Sequence, residues 1–145
     1  MKIIVISGPN LNMLGVREPD IYGSDTYDDL CRYVKRACEK KNIECDFFQS
    51  NHEGDLVDCI QQTYKKYDGI IINPAAYTHT SVAVRDALTA VKVPAVEVHL
   101  SDPDMRERFR QVSYVRDVCI ATFKGHGFEC YGQAVDFLEE YLNKA

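Results

Sequence analysis

The chain has no Cys-x-x-Cys pair among its six cysteines, no excess of basic charge and no apolar run near the thickness of a bilayer. Without paired cysteine spacing there is no zinc-site signature. Cys31, Cys38, Cys45, Cys59, Cys119 and Cys130 read as reduced thiols that act mostly as small buried hydrophobes. A formal charge of −5 argues against the basic footprint of a nucleic-acid scaffold. No segment approaches the ~20 apolar residues of a spanning helix, and the first strand begins with no basic, apolar leader before it. The expectation is a cytoplasmic protein without membrane or nucleic-acid partners. Phosphate loops of the Gly-Lys-Ser/Thr or Gly-x-Gly-x-x-Gly kind are missing, and Pro9 removes an amide where such a loop needs one. A Gly-x-Ser-x-Gly elbow is also missing, and no His, Cys and Asp grouping has metal spacing, so no metal is expected. Linkers, internal repeats and low-complexity stretches are absent, and 145 residues with 46% hydrophobic and 27% charged composition fit one domain over 1–145.

What is present alternates between strand and helix signals. Lys2-Ile3-Ile4-Val5-Ile6 is a β-branched run of the kind buried on both faces. A helix follows over Thr26 to Lys41, with Thr26 and Asp29 resembling a capping box and Leu30, Val34 and Cys38 as its stripe. The remaining strands are expected over Ile43 to Gln49, Gly69 to Asn73, Pro94 to Leu100 and Val118 to Phe123. The second helix runs from Glu53 to Tyr67, with Leu56, Ile60 and Tyr64 inward. The third is capped by Thr80 or Ser81 and turns Ala83, Ala87 and Val91 inward, and the last spans Tyr131 to Leu142. Between the last two strands, Asp102 and Pro103 fit the start of a short helix that would place Arg106 and Arg110 on one face. This alternation predicts an α/β, flavodoxin-like three-layer sandwich with a five-stranded parallel sheet in the order 2-1-3-4-5.

Open sheets of this kind bind ligands beyond the carboxyl ends of their strands, and the unusual polar residues fall there. Ser7 to Gly23 is far longer than the roughly 2 to 6 residues of an ordinary strand-to-helix connection. It carries Asn10, Asn12, Arg17 and Tyr22 between Gly and Pro hinges. Asn51, His52 and Glu53 follow the second strand. Asn73, Tyr77, Thr78 and His79 follow the third, and Glu97, His99 and Ser101 surround the end of the fourth. Taken singly, each has a plain structural role: His99 as a satisfied histidine, His52 as a helix cap, Asn73-Pro74 as turn chemistry, Arg17-Glu18 as a surface pair. Their convergence on one edge is the stronger signal. Of nine lysines only Lys124 lies near a strand's carboxyl end, so imine chemistry has a thin candidate list. General acid–base chemistry on a small anionic molecule remains, with arginines and loop amides as anion donors. A phenol base must be moved roughly three units from ~10 to act near neutrality, about 4 kcal/mol, which adjacent arginines in a screened site supply.

Four ordered blocks carry a resemblance. They are Gly8-Pro9-Asn10-Leu11-Asn12-Met13-Leu14-Gly15 with Arg17-Glu18-Pro19 and Tyr22-Gly23; Gln49-Ser50-Asn51-His52-Glu53-Gly54; Asn73-Pro74-Ala75-Ala76-Tyr77-Thr78-His79-Thr80-Ser81 with Arg85-Asp86-Ala87; and Glu97-Val98-His99-Leu100-Ser101 with Arg106-Glu107 and Phe109-Arg110. Together they make the chain similar to type II 3-dehydroquinate dehydratases. The resemblance implies reversible anti elimination of water from 3-dehydroquinate through an enolate, in the shikimate pathway or quinate catabolism, with no cofactor and no imine. It implies Tyr22 as the base, Arg17 as the cation favouring its phenolate, Asn12 as enolate stabiliser and His99 as proton donor. It further implies that Asn73, His79, Arg110 and the amides of Leu100 and Ser101 bind substrate, and that Glu97 orients His99. Asp86 would reach a neighbouring subunit's site in a homododecamer of trimers, and the Gly15 to Tyr22 loop would be a lid. The chain departs from the family pattern at Ser7, Ala75, Asp102, Asp104, Gln111-Val112 and Cys130. Two added carboxylates beside an anion-binding loop leave open a second reading, a binder that does not turn its ligand over.

Overall fold

The computed structural model describes residues 1–16, 18, 20 and 24–144. Five strands, β1 (Lys2–Ser7), β2 (Glu44–Gln49), β3 (Gly69–Asn73), β4 (Ala95–His99) and β5 (Ala121–Lys124), form one sheet in the order β2-β1-β3-β4-β5. Every pairing is parallel, with Ile3 opposite Cys45 and Gly69, and Glu97 opposite Ile72 and Thr122. The expected flavodoxin-like sheet order is therefore the observed one.

Two helices cover each face, because side chains of successive strand residues point to opposite sides. Ile3, Val5, Ile71, Val96 and Val98 pack under α1 (Tyr27–Glu39) and α4 (Glu129–Asn143). Ile4, Ile6, Ile70, Ile72 and Ala95 pack under α2 (Glu53–Gln62) and α3 (Val82–Val91). Both caps read from the sequence form. Thr26 and Asp29 make a reciprocal capping box on α1, and the Ser81 hydroxyl accepts the Val84 amide hydrogen of α3.

Several boundaries differ from the sequence expectation. α2 stops at Gln62, where the Thr63 hydroxyl donates to the Ile60 carbonyl and Lys65 turns left-handed, so Tyr64 is exposed rather than inward. Ala83 is exposed, and Val84, Ala87, Leu88 and Val91 form the inward stripe of α3. β5 begins at Ala121 because the Cys119 amide donates back to the Val115 and Arg116 carbonyls, closing a 3-10 turn over Arg116–Val118. The β4–β5 crossover contains no continuous helix. It is three 3-10 turns, Pro103–Met105, Arg108–Gln111 and Arg116–Val118, and the extended backbone of Arg106 separates the first two. Asp102 nevertheless caps the first of them through the Asp104 amide. His52 stands at the cap position of α2, but its side chain does not cap. Among the described residues no helix is long and apolar enough to cross a membrane.

Candidate active site

The carboxyl ends of β1, β3 and β4 open into a cleft of ≈ 570 Å³. Pro9, Leu11 and Leu14 form an apolar wall from the first loop, and Asn73, Ala75 and His79 line the β3 side. His99, Leu100 and Ser101 close the β4 side, with Arg106 and Arg110 opposite. A close approach between the β1 and β3 ends builds the floor. The Gly8 amide donates to the Asn73 carbonyl at 2.8 Å, and a Cβ on Gly8 would collide with the Pro74 carbonyl group.

At β3, the Asn73 amide is fixed from both ends. Its Oδ1 accepts the Ala75 amide hydrogen at 3.1 Å and its Nδ2 donates to the buried Tyr131 hydroxyl at 3.3 Å. Ala75 has φ of 53°, a left-handed conformation that glycine adopts more easily. The His79 Nδ1 lies 2.6 Å from the Val112 carbonyl, which makes Nδ1 the protonated nitrogen and leaves Nε2 for a ligand. Burial, with help from the nearby His99 and Arg110 charges, holds the His79 pKa below its usual value, so this ring is neutral near pH 7.

At β4, Glu97 has no solvent exposure yet meets four donors. Oε2 accepts from His99 Nε2 at 2.7 Å and the Ser113 hydroxyl at 2.8 Å. Oε1 accepts from the Thr122 hydroxyl at 3.0 Å and Arg116 Nε at 3.3 Å. Burial alone would push its carboxyl up, but the hydrogen bonds from His99 and Ser113 and the Arg116 charge outweigh it and bring the pKa down to about 2. His99 is itself buried, and its bond to Glu97 leaves Nδ1 as the nitrogen available to a ligand. An imidazole oriented by an ionised carboxylate is suited to giving a proton to a leaving group and holding its charge beforehand.

The structure thus brings Asn73, His79, His99, Leu100, Ser101 and Arg110 to one cleft, with Glu97 directly behind His99. The Leu100 and Ser101 carbonyls accept from the Gly127 and Gly125 amides, which anchors their segment to the β5–α4 turn. Asn12 lies beside the cleft, where its Oδ1 accepts from Gln49 Nε2 at 3.4 Å; Asn10 is the asparagine of that turn that borders the cavity. Asp86 is exposed on α3, away from the cleft lining. Arg17 and Tyr22 lie outside the described residues. Arg106, which the sequence places at this edge beside Arg110 without a role of its own, belongs to the cleft wall. The signal was its spacing to Arg110, which the sequence had put on one helical face that does not form. Lys124 donates to both Asp102 and Asp104, which raises its pKa and keeps it an ammonium rather than a nucleophilic amine.

The family model for class II dehydroquinase matches residues 1–139. A 3-dehydroquinate dehydratase of Fusobacterium nucleatum is 56% identical over 147 residues, covering 99% of this chain and 100% of that protein. The crystal structure of a type II dehydroquinase from Butyrivibrio crossotus superposes with a TM-score of 0.94 at 48% identity, covering 96% of this chain and 97% of that one. A type II dehydroquinase from Propionibacterium acnes gives 0.92 at 35% identity, with 96% of each chain covered. The chain belongs to the class II dehydroquinase family.

Proposed function

We propose that the chain is a type II 3-dehydroquinate dehydratase that carries out its elimination with side chains alone, on one catalytic domain. The observation that carries this reading is the buried Glu97–His99 pair facing His79, Asn73 and Arg110 across one cleft, in a chain of this family. Tyr22 takes the C2 proton of 3-dehydroquinate, with Arg17 stabilising the phenolate. Asn12 supports the resulting enolate. Protonated His99 then donates from Nδ1 to the departing C1 hydroxyl as the double bond of 3-dehydroshikimate forms, while Glu97 balances the imidazolium. Arg110 and the Leu100 and Ser101 amides take the substrate carboxylate. His79 accepts a hydroxyl hydrogen on Nε2, and Asn73 offers its remaining amide hydrogen. Glu18 lies 4.0 Å from Arg106 of the cleft wall, which supports a lid role for the surrounding loop.

Asp102 and Asp104, the two added carboxylates beside the anion-binding loop, both pair with Lys124. Asp86 contributes from a neighbouring subunit. That placement fits its exposure on α3, next to Arg85, which donates to the Tyr114 carbonyl of a crossover that exposes Phe109 and Val112. A cytoplasmic homododecamer of trimers follows from the same reading. Mixing the protein with 3-dehydroquinate is expected to raise the ultraviolet absorbance of a conjugated enone. No rise at high protein concentration overturns the proposal. Tyr22→Phe is expected to remove nearly all of kcat and leave substrate binding intact, whereas activity within a few-fold of the parent rules Tyr22 out as base.

A further inference from the structure

His99 stands at one end of a line of ionic groups that continues well past Glu97. Arg116 bonds Glu97 through Nε at 3.3 Å and meets Asp104 through its second nitrogen at 3.6 Å. Asp104 pairs with Lys124, and Lys124 reaches Asp102 at 3.0 Å. The signs alternate along the whole line, from His99 through Glu97, Arg116, Asp104 and Lys124 to Asp102. Three carboxylates face two permanent cations, so the line is electrically neutral only when His99 carries a proton. Its members come from β4, the two outer 3-10 turns of the crossover and β5, and no single element contains it.

We propose that Arg116 and Asp104 are positioning residues that act through Glu97 on the His99 imidazole and its proton, in opposite senses. Arg116 also gives the buried Glu97 carboxylate a permanent counter-charge after that proton has left, which keeps the pair from trapping it. Without Arg116, the anionic charge behind His99 is uncompensated and the proton is held more tightly. Without the Asp104 charge, Arg116 opposes the imidazolium unchecked and the proton is held less tightly. The other charged groups facing the pair are constant across these changes. His79 comes from the β3 turn and is neutral, Arg106 and Arg110 come from the crossover, and the Cys119 thiol, pushed up to about 12 chiefly by burial, is uncharged.

The rate consequence rests on His99 being the proton donor of the proposed reaction; the charge coupling does not. The test is therefore an NMR titration of the His99 imidazole in the ligand-free protein, assigned with His99→Asn, alongside the pH profile of kcat. Arg116→Gln is expected to raise the His99 midpoint by about half to one pH unit, and Asp104→Asn to lower it similarly. These are smaller than direct-contact shifts because both groups are partly solvated. Lys124→Gln moves it in the Arg116→Gln direction by less, and Arg116→Lys keeps it near the parent value. The high-pH limb of kcat follows the same order, with KM nearly unchanged. Shifts of equal sign for Arg116→Gln and Asp104→Asn, or none in either, overturn the proposal even in an active enzyme. Opposite shifts in a protein that does not dehydrate 3-dehydroquinate uphold the coupling and overturn the function.

Discussion

Glu97 is a charged residue with no solvent exposure, and its four donors decide whether it stabilises the fold. Its pKa falls from the ordinary 4.5 to about 2, so the folded state binds a proton less readily than the unfolded chain. Such a group stabilises the fold fully above pH ~4.5, and that contribution is lost as pH falls toward 2. Denaturant unfolding is expected to show parent and Glu97→Gln converging in stability over that window, with the parent ahead above it; a constant gap would contradict the assignment. Ala75 makes a separate residue-scale case. Its left-handed backbone costs roughly 1 to 2 kcal/mol, while glycine loses roughly 0.4 to 1 kcal/mol through unfolded-chain entropy. Ala75→Gly should therefore stabilise the protein by about 0.5 to 1 kcal/mol, readable as a higher thermal midpoint. The strand-end positions of Asn73 and His99 were visible in the sequence because a polar residue ending an apolar strand stands out. Arg116 was not visible. Its partners lie 19 and 12 positions away, and only the folded crossover brings them together.

At the scale of elements, caps were legible and ends were less so. The Thr26–Asp29 box closes within one turn, so local sequence suffices to specify it. Thr26→Ala should cost about 1 kcal/mol in unfolding free energy. It acts directly after the loop that carries Tyr22, so it also tests whether an ordered α1 start matters for kcat. The broken crossover escaped the pattern because tertiary hydrogen bonds hold it, and the β5 boundary because a 3-10 turn over Arg116–Val118 precedes it. The Tyr114 amide donates to the Thr78 carbonyl, the Ile120 amide to the Ala95 carbonyl, and the Ser113 hydroxyl to Glu97. The meeting of β1 and β3 is another such case. Gly8→Ala would place a methyl group 2.6 Å from the Pro74 carbonyl carbon. Backbone cannot yield as a side chain can, so a loss of about 3 kcal/mol is expected, with weakened substrate binding because Asn73 and the first loop both move.

At the scale of the molecule, Asp86 stands apart from the cleft lining of the single chain. Asp86 faces outward on α3, and the nearby crossover exposes Met105, Phe109 and Val112. Clusters of exposed apolar side chains mark surfaces that are covered by a partner. Light scattering is expected to report a trimer or a dodecamer, and reassembled mixtures of Asp86→Ala and Tyr22→Phe subunits should regain activity that neither has alone. A fully active monomer would remove Asp86 from the mechanism.

The sequence by itself determined the strand and helix order, the parallel sheet and the edge where the site lies. Hydrophobic period and strand-end position are local properties of the chain, and the four motifs follow them. Only the tertiary structure decided that Asn10 rather than Asn12 borders the cavity, that Arg106 joins Arg110 there without a shared helix, and that Asp102 and Asp104 share Lys124 while Asp104 also meets Arg116. Charge pairing depends on distance in space, and a crossover without regular structure gives no period from which that distance could be read.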